Sequence, residues 1–504
     1  MMYKFLVALT CLVLGYTSAL RAQVLYGSVV GNVVDSSEAA VAGASVTITN
    51  RETRQTRETT TNESGAYSFP TVASGSYDLK IVKEGFSSTT RQEVIVTINN
   101  ITRIDASLKI GSVTESILVS AQSAVLQTDR SEVRAEVSSK TLENMPVPPG
   151  RNYQQILRTL PGFTPPSNAH SVPSNPSRAL TYNVNGSSRS SNNTRIDGAS
   201  STNIQLPWVT GYVPGLESIE TVNVVTNSFD AEQGLAGGAA INVQTKSGTN
   251  QLHGSVFEYH TDQKIKAKPF FLPPGERNPK LVYNQFGGSL GGPIKKDKLF
   301  YFFSYEGTFD RENASRFATV PTAAMRTGDF LASGRPVYDP ATGDAAGANR
   351  VAFPDGLVPA SRISPIVKKI VALTPLPNLN GLTSNFYATG PFTFDRRTID
   401  TKVNYNATPK LSMFGRFGML HYSDYDPQVF GDALGGPPIS ALGGNPGHGQ
   451  GNTYSLTTAA TYVLRPTMVL DTYFGWTQAQ TTSEQARLTK RLAPTFLEFP
   501  ERMA

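Results

Sequence analysis

The stretch Leu299-Phe-Tyr-Phe-Phe-Ser-Tyr-Glu-Gly-Thr-Phe309 decides the fold class. One face of it carries Leu299, Tyr301, Phe303, Tyr305 and Phe309, and the other ends in Ser304, Glu306 and Thr308. A repeat of two is the period of a β-strand, whose side chains alternate between faces. The length suits a tilted strand crossing a bilayer, which needs roughly 9 to 11 residues, apolar side out and polar side in.

The same alternation recurs towards the C-terminus. Ile399 to Asn406 sets Ile399, Val403 and Tyr405 against Asp400, Lys402, Asn404 and Asn406. Lys410 to Leu420 turns Leu411, Met413, Phe417 and Met419 outward, and Thr453 to Leu464 does so with Tyr454, Leu456, Tyr462 and Leu464. In Met468 to Trp476 the outer set is Met468, Leu470, Phe474 and Trp476, opposite Asp471. Short connections (Pro293 to Lys298, Ala407 to Pro409, Arg465-Pro466) alternate strictly with long ones (Thr261 to Val282, Asp310 to Thr398, Tyr422 to Asn452). Short periplasmic turns alternating with long external loops mark an outer-membrane barrel. Residues 251–504 therefore predict seven strands, near 252–260, 283–291, 299–309, 399–406, 410–421, 453–464 and 467–478. Bacterial single-chain barrels have even strand numbers and plugged ones about 22, so the chain is expected to continue beyond Ala504.

Composition and address fit an exported β-protein. Of 504 residues only 17% are charged, against roughly 25% in an ordinary soluble domain. The 25 Phe and 20 Tyr supply apolar faces that a disordered chain lacks. The net charge of +6 comes without any Lys/Arg run, which argues against a nucleic-acid partner. Lys4, the apolar run Phe5 to Gly15 and small residues up to Ala22 have the layout of a signal peptide over residues 1–22. That run is too short to span a roughly 30 Å hydrocarbon core as a helix. The single cysteine, Cys11, leaves with it, so a disulfide framework and Cys-ligated metal are excluded. No later window offers 18 consecutive apolar residues.

Residues 24–110 predict a small β-sandwich, with short strands at Val24 to Val34, Ala44 to Thr49, Ala66 to Phe69, Ser76 to Val82, Glu93 to Ile98 and Thr102 to Lys109. Asp35-Ser-Ser, Asn62-Glu-Ser-Gly65, Ser74-Gly75 and Glu84-Gly85 supply the turns. The pieces Gly31-Asn-Val-Val-Asp35, Val41-Ala-Gly-Ala-Ser-Val46, Thr60-Thr-Asn-Glu-Ser-Gly-Ala-Tyr-Ser-Phe69 and Glu84-Gly-Phe86 resemble the carboxypeptidase regulatory-like domain. That resemblance implies a non-catalytic spacer or interaction module, sometimes linked with carbohydrate binding. None of His170, His253, His260, His421 or His448 is followed by Glu at the zinc-binding His-x-x-Glu offset.

Residues 111–140 predict a linker. Within it Thr114, Glu115, Ser116, Ile117, Leu118, Val119, Ser120 and Ala121 form an extended apolar run. It is either the last strand of the sandwich or an exposed strand that a partner pairs with through main-chain hydrogen bonds.

Residues 141–250 predict a compact α/β domain. Asn152 to Leu160 places Tyr153, Ile156, Leu157 and Leu160 on one helical face, closed by Pro161-Gly162. There follow Tyr182-Asn-Val-Asn185-Gly186, Asn193-Thr-Arg-Ile-Asp197-Gly198, Leu216 to Val225, and Gly237 to Thr245-Lys246-Ser-Gly248. This order resembles the plug of TonB-dependent outer-membrane receptors, of the Oar-like type that bears a regulatory-like domain. Gly234, Gly237 and Gly238 suit places where the plug backbone passes close to the barrel wall.

The resemblance covers essentially the whole mature chain and implies what the residues alone do not. Thr114 to Ala121 would be the TonB box, and the partners a TonB-type energy-coupling protein, outer-membrane lipid and an external ligand. The protein would sit in the outer membrane with its N-terminal domain in the periplasm, and would take up or bind its ligand without a cofactor, metal or catalytic residue. A membrane-anchored adhesion or matrix protein with a carbohydrate-binding-like N-terminal domain is the alternative. Gly287-Gly-Ser-Leu-Gly-Gly292 reads as a glycine-rich strand hairpin rather than a phosphate loop, because Pro293 stands where the loop would continue. The basic stretch Asp262 to Lys268 reads as an external loop face meeting anionic headgroups.

Overall fold

The computed structural model describes residues 26–97, 100–111, 116–120, 131–144, 150–167, 175–229, 234, 236–440, 446–465 and 468–485. The signal-peptide reading, residues 1–22, lies outside them, as do Thr114, Glu115 and Ala121.

The N-terminal domain is a sandwich of two sheets. Its strands are β1 (Gly27–Asp35), β2 (Ser45–Asn50), β3 (Thr56–Thr60), β4 (Ala66–Val72), β5 (Gly75–Val82), β6 (Ser88–Val96), β7 (Ile101–Arg103), β8 (Ala106–Leu108) and β9 (Ser116–Ser120). One sheet runs β4-β1-β7, with β8 also paired to β1, and the other runs β3-β2-β5-β6-β9. Alternate residues of the two sheets, among them Val29, Val33, Val46, Ile48, Leu79, Ile81 and Leu108, close a core made wholly of this domain's residues. Three features differ from expectation. The single strand expected over Thr102 to Lys109 is two, β7 and β8, each paired in parallel with β1. β3, Thr-Arg-Glu-Thr-Thr, carries no apolar residue and so gives no hydrophobic signal, yet it pairs with β2 through Thr49↔Thr56 to Ser45↔Thr60. β6 begins at Ser88 rather than Glu93, because Ser88 and Thr89 are buried despite their hydroxyls.

The second domain is a five-stranded sheet of order β10-β13-β14-β11-β12, built from β10 (Val133–Ser138), β11 (Asn193–Ile196), β12 (Ala199–Ser200), β13 (Ile219–Asn227) and β14 (Ala240–Thr245). β10 falls inside the stretch expected to be linker. Its Val-Arg-Ala-Glu-Val pattern has few large apolar side chains, but β13 offers it an antiparallel partner over Ser138↔Thr221 to Arg134↔Val225. The expected helix after Asn152 is a 3-10 helix, Tyr153–Thr159, capped by the Asn152 side chain. It buries Tyr153, Ile156 and Leu157, and Pro161 directly follows its C-cap residue Leu160, which stops propagation.

The third unit is an antiparallel meander of seven strands: β15 (His253–Asp262), β16 (Leu281–Lys295), β17 (Leu299–Ala318), β18 (Phe386–Thr408), β19 (Leu411–Asp426), β20 (Gly447–Arg465) and β21 (Met468–Gln485). All seven expected strands are present, and several are longer. β17 and β18 stay in register from Leu299↔Tyr405 to Ala318↔Phe386, well past the length a bilayer requires. Beyond the hydrocarbon the ladder persists because each added pair still satisfies main-chain donors and acceptors. The long loops shrink accordingly to 263–280, 319–385 and 427–446. The Gly287 to Gly292 run lies inside β16 rather than at a hairpin turn; the turn comes after Lys295. Among the described residues the meander does not close, since β15 and β21 each pair with one neighbour.

The N-terminal domain touches the short-turn end of the meander. Tyr26, Arg57 and Tyr77 line a cleft together with Pro409, Lys410, Ser412 and Thr461. The Asn250 amide also donates to the Glu52 carbonyl at 3.0 Å.

Candidate functional site

The second domain is seated against the inner face of the meander, and the seat is where buried charge gathers. On β18, Asp400 and Lys402 are only 2% and 4% exposed, whereas Val403 and Tyr405 are 43% and 40% exposed. The alternation read from the sequence therefore separates a lipid face from an interior face. Charge turned to lipid would cost several kcal/mol; turned inward, it can find partners.

Asp197 is the hub of the seat. It opens the two-residue turn Asp197-Gly198 between β11 and β12, with φ of 46° and 87°, the left-handed pair that a tight hairpin turn requires. Its carboxylate accepts from the Thr245 amide at 3.1 Å and the Thr245 hydroxyl at 2.5 Å. Two motif residues that are 48 positions apart thus meet. Lys402 Nζ donates to Asp197 Oδ1 at 2.9 Å and to the Thr245 carbonyl at 3.1 Å, and Arg416 Nε lies 3.7 Å from Asp197 Oδ2. Arg416 Nη2 then pairs with Asp400 Oδ1 at 3.0 Å. Asp400 reaches back into the second domain, accepting from the Tyr212 hydroxyl at 2.9 Å, the Ser218 hydroxyl at 3.1 Å and the Gly215 amide at 3.3 Å. Two carboxylates face two cations, so the cluster is balanced. Burial, reinforced by the Asp400 carboxylate, pushes the Tyr212 phenol well above its usual range, which keeps it a neutral donor.

Further polar bridges join the two units. Arg396 pairs with Glu306 at 3.1 Å and donates to the Ser177 and Gly150 carbonyls at 3.4 and 3.5 Å. Glu217 binds Arg151 at 2.8 Å and accepts from Ser255 on β15, also at 2.8 Å. Burial alone would raise the Glu217 carboxyl, but the Arg151 and Ser255 hydrogen bonds prevail and hold it below its usual range. Towards the long loops the seat is apolar, with Phe392, Phe394, Leu420 and Tyr422 packed into one cluster with Tyr153, Leu157 and Tyr212. The wall is thinned by glycine where the domain presses closest. A Cβ on Gly475 would lie 2.5 Å from the Ala199 Cβ, and one on Gly418 would lie 2.7 Å from the Tyr212 hydroxyl.

The other motif residues are structural. Asn185 and Gly186 take φ of 50° and 75° in a turn closed by the Ser187 amide to the Val184 carbonyl. Lys246 pairs with Glu143 at 3.0 Å, away from the hub. Gly238 lies where a Cβ would come within 2.4 Å of the Ser187 hydroxyl, so the close approach at this glycine is to the plug's own chain and not, as expected, to the barrel wall. Ser116 to Ser120 form β9, paired in parallel with β6. The sequence placed Asp400 and Lys402 on the inward face of their strand without giving them a role, and it did not single out Arg416, Tyr212 or Arg396.

The comparisons agree with this architecture. The Outer membrane beta barrel domain family matches residues 244–501, the TonB-dependent Receptor Plug Domain family residues 129–240, and the Carboxypeptidase regulatory-like domain family residues 28–109. The chain belongs to the TonB-dependent outer-membrane receptors that carry an N-terminal regulatory-like domain. It is similar to the TonB-dependent transporter Oar of Myxococcus xanthus, 26% identical over 316 residues, which are 58% of this chain and 29% of that protein. Among solved structures it is similar to a variant of the ferric enterobactin receptor of Pseudomonas aeruginosa in complex with enterobactin, at 15% identity and a TM-score of 0.40 over 70% of this chain and 42% of that one. The siderophore receptor PirA of Acinetobacter baumannii is similar at 15% identity and a TM-score of 0.33, over 70% and 48%. The chain spans less than a third of the length of its curated relative and under half that of these structures.

Proposed function

We propose that the protein takes up an external ligand across the outer membrane, driven by a TonB-type coupling protein that pulls from the periplasm on the segment 114–121. The observation that carries this reading is the seat itself. Its lower half is polar, buried and charge-balanced, and a water-filled lumen would rehydrate those groups on departure more readily than it would an apolar core. Such a seat fixes orientation while leaving the domain separable. An outer membrane has no nucleotide supply, so the work must arrive mechanically from within. The basic loop face at Lys264, Lys266 and Lys268 would meet anionic headgroups outside.

Cysteine crosslinking tests the partner, because removal of residues 1–22 leaves no native thiol. Cys at Ile117 or Val119 should crosslink in cells to a coupling protein carrying a matched Cys. Failure at both positions, with the receptor present and folded, would reject the assignment.

A further inference from the structure

The coupling segment is not a free peptide in this structure. Its residues Ser116 to Ser120 are β9, which among the described residues is the terminal strand of a folded sheet, paired with β6 in parallel from Ser88↔Ser116 to Gln92↔Ser120. Just before it the chain is fastened to the same domain. Ile110 bridges Phe86, the Ser87 amide donates to the Lys109 carbonyl at 2.9 Å, and the Gly111 amide donates to the Gly85 carbonyl at 3.3 Å. Ser116 opens β9 five positions after Gly111. β6 uses its other edge for β5, so β9 covers one side of β6 and, among the described residues, ends the sheet.

The two edges of this sheet differ in chemistry. Natural edge strands are guarded against strand addition by charge, proline or bulges. β3, at one edge, carries Arg57 and Glu58 within Thr-Arg-Glu-Thr-Thr. β9, at the other, reads Ser-Ile-Leu-Val-Ser, with neither charge nor proline over its whole length. An uncharged, extended edge is a template for another strand.

We propose that the regulatory-like domain presents the coupling segment as a preformed edge, and that a strand of the TonB-type protein adds to β9 as the sixth strand of the sheet while β9 stays on β6. This deepens the function proposed above and rests on it. Because β9 is already extended, the partner does not supply the cost of ordering it. The N-terminal domain then becomes the handle through which force reaches the plug.

The test uses the full-length receptor with Gln92→Cys and Ser120→Cys, a registered pair across β6 and β9. The probe is the purified periplasmic domain of the cognate TonB-type protein. The disulfide should form readily. The oxidised receptor should bind the probe at least as tightly as the reduced one, and the unmodified receptor should bind it about tenfold or more tighter than a synthetic peptide of residues 114–121. If the reduced form binds and the oxidised form does not, or if the peptide binds more tightly than the receptor, the segment must leave β6 and presentation is overturned. Cysteines that never oxidise overturn it too. If neither receptor nor peptide binds the probe, the coupling-segment assignment itself fails.

Discussion

Asp197 and Lys402 are 205 positions apart in the chain, and their charged atoms lie 2.9 Å apart across the boundary between plug and barrel wall. Both side chains are almost fully buried. Removing one partner of such a pair strands the other, at a cost of about 3–5 kcal/mol, whereas removing both costs less. Asp197→Asn should therefore loosen the seat markedly, since it leaves Lys402 and Arg416 with Asp400 as the one carboxylate of the cluster, and Lys402→Met somewhat less, since Arg416 remains 3.7 Å from Asp197. The double variant should be more stable than the sum of the singles predicts. Denaturant unfolding of the purified receptor, with proteolysis of the plug as a second readout, closes this cycle. Strict additivity would contradict the pairing.

The N-terminal domain has a core to itself, running from Val29 to Leu108. A fragment of residues 24–111 should unfold cooperatively on heating. A broad, featureless melt would show that it depends on the rest of the chain.

Asp35 contributes to the acid sensitivity of that fragment. Its carboxylate accepts from the Ser37 hydroxyl at 2.7 Å and from the Ala39 and Ser37 amides at 3.0 and 2.8 Å, which holds it below its ordinary value. A carboxyl depressed in the folded state stabilises fully above its unfolded pKa of about 3.9, and the gain is lost as pH falls through the folded value. Between about pH 5 and 2 the Asp35→Asn fragment should therefore lose less stability than the parent, as measured by thermal melts across that range. Equal slopes would contradict the turn's role.

Gly475 tests the closeness of plug and wall. An alanine there places its Cβ against Ala199 of β12, and overpacking of this kind costs about 1–3 kcal/mol. Gly475→Ala should make the plug more accessible to protease, and adding Ala199→Gly should restore protection. A lack of rescue would mean that β12 and β21 do not meet as described.

Much of this molecule is legible in its sequence because barrel strands obey a simple rule. In β18 the inward placement of Asp400 and Lys402 and the outward placement of Val403 and Tyr405 follow from alternation alone. β3 escaped notice because an edge strand without apolar residues resembles a loop, and β10 because it carries few large apolar side chains. The ends of β17 and β18 escaped because alternation reports the membrane slab, while pairing continues above it. The seat could not be read at all. Joining Asp197 to Lys402 needs the register of β18, the turn at Asp197-Gly198 and the docking of one domain on another, and none of these is a local property. The Asp-Gly and Thr-Lys-Ser-Gly segments were recognisable as motifs, but the contact between Asp197 and Thr245 required the parallel pairing of β11 with β14.

The central claim is that a periplasmic pull on residues 114–121 is needed for whatever the receptor supplies to the cell. Growth measured over a panel of scarce nutrients, comparing a strain lacking only these eight residues with strains lacking the whole gene or the TonB-type protein, tests it most directly. The account predicts that the small deletion, with the receptor still in the outer membrane, fails on every nutrient on which the gene deletion fails, and that loss of the coupling protein fails there as well. Normal growth of the small deletion where the gene deletion fails would contradict it and would favour an anchored adhesion protein instead.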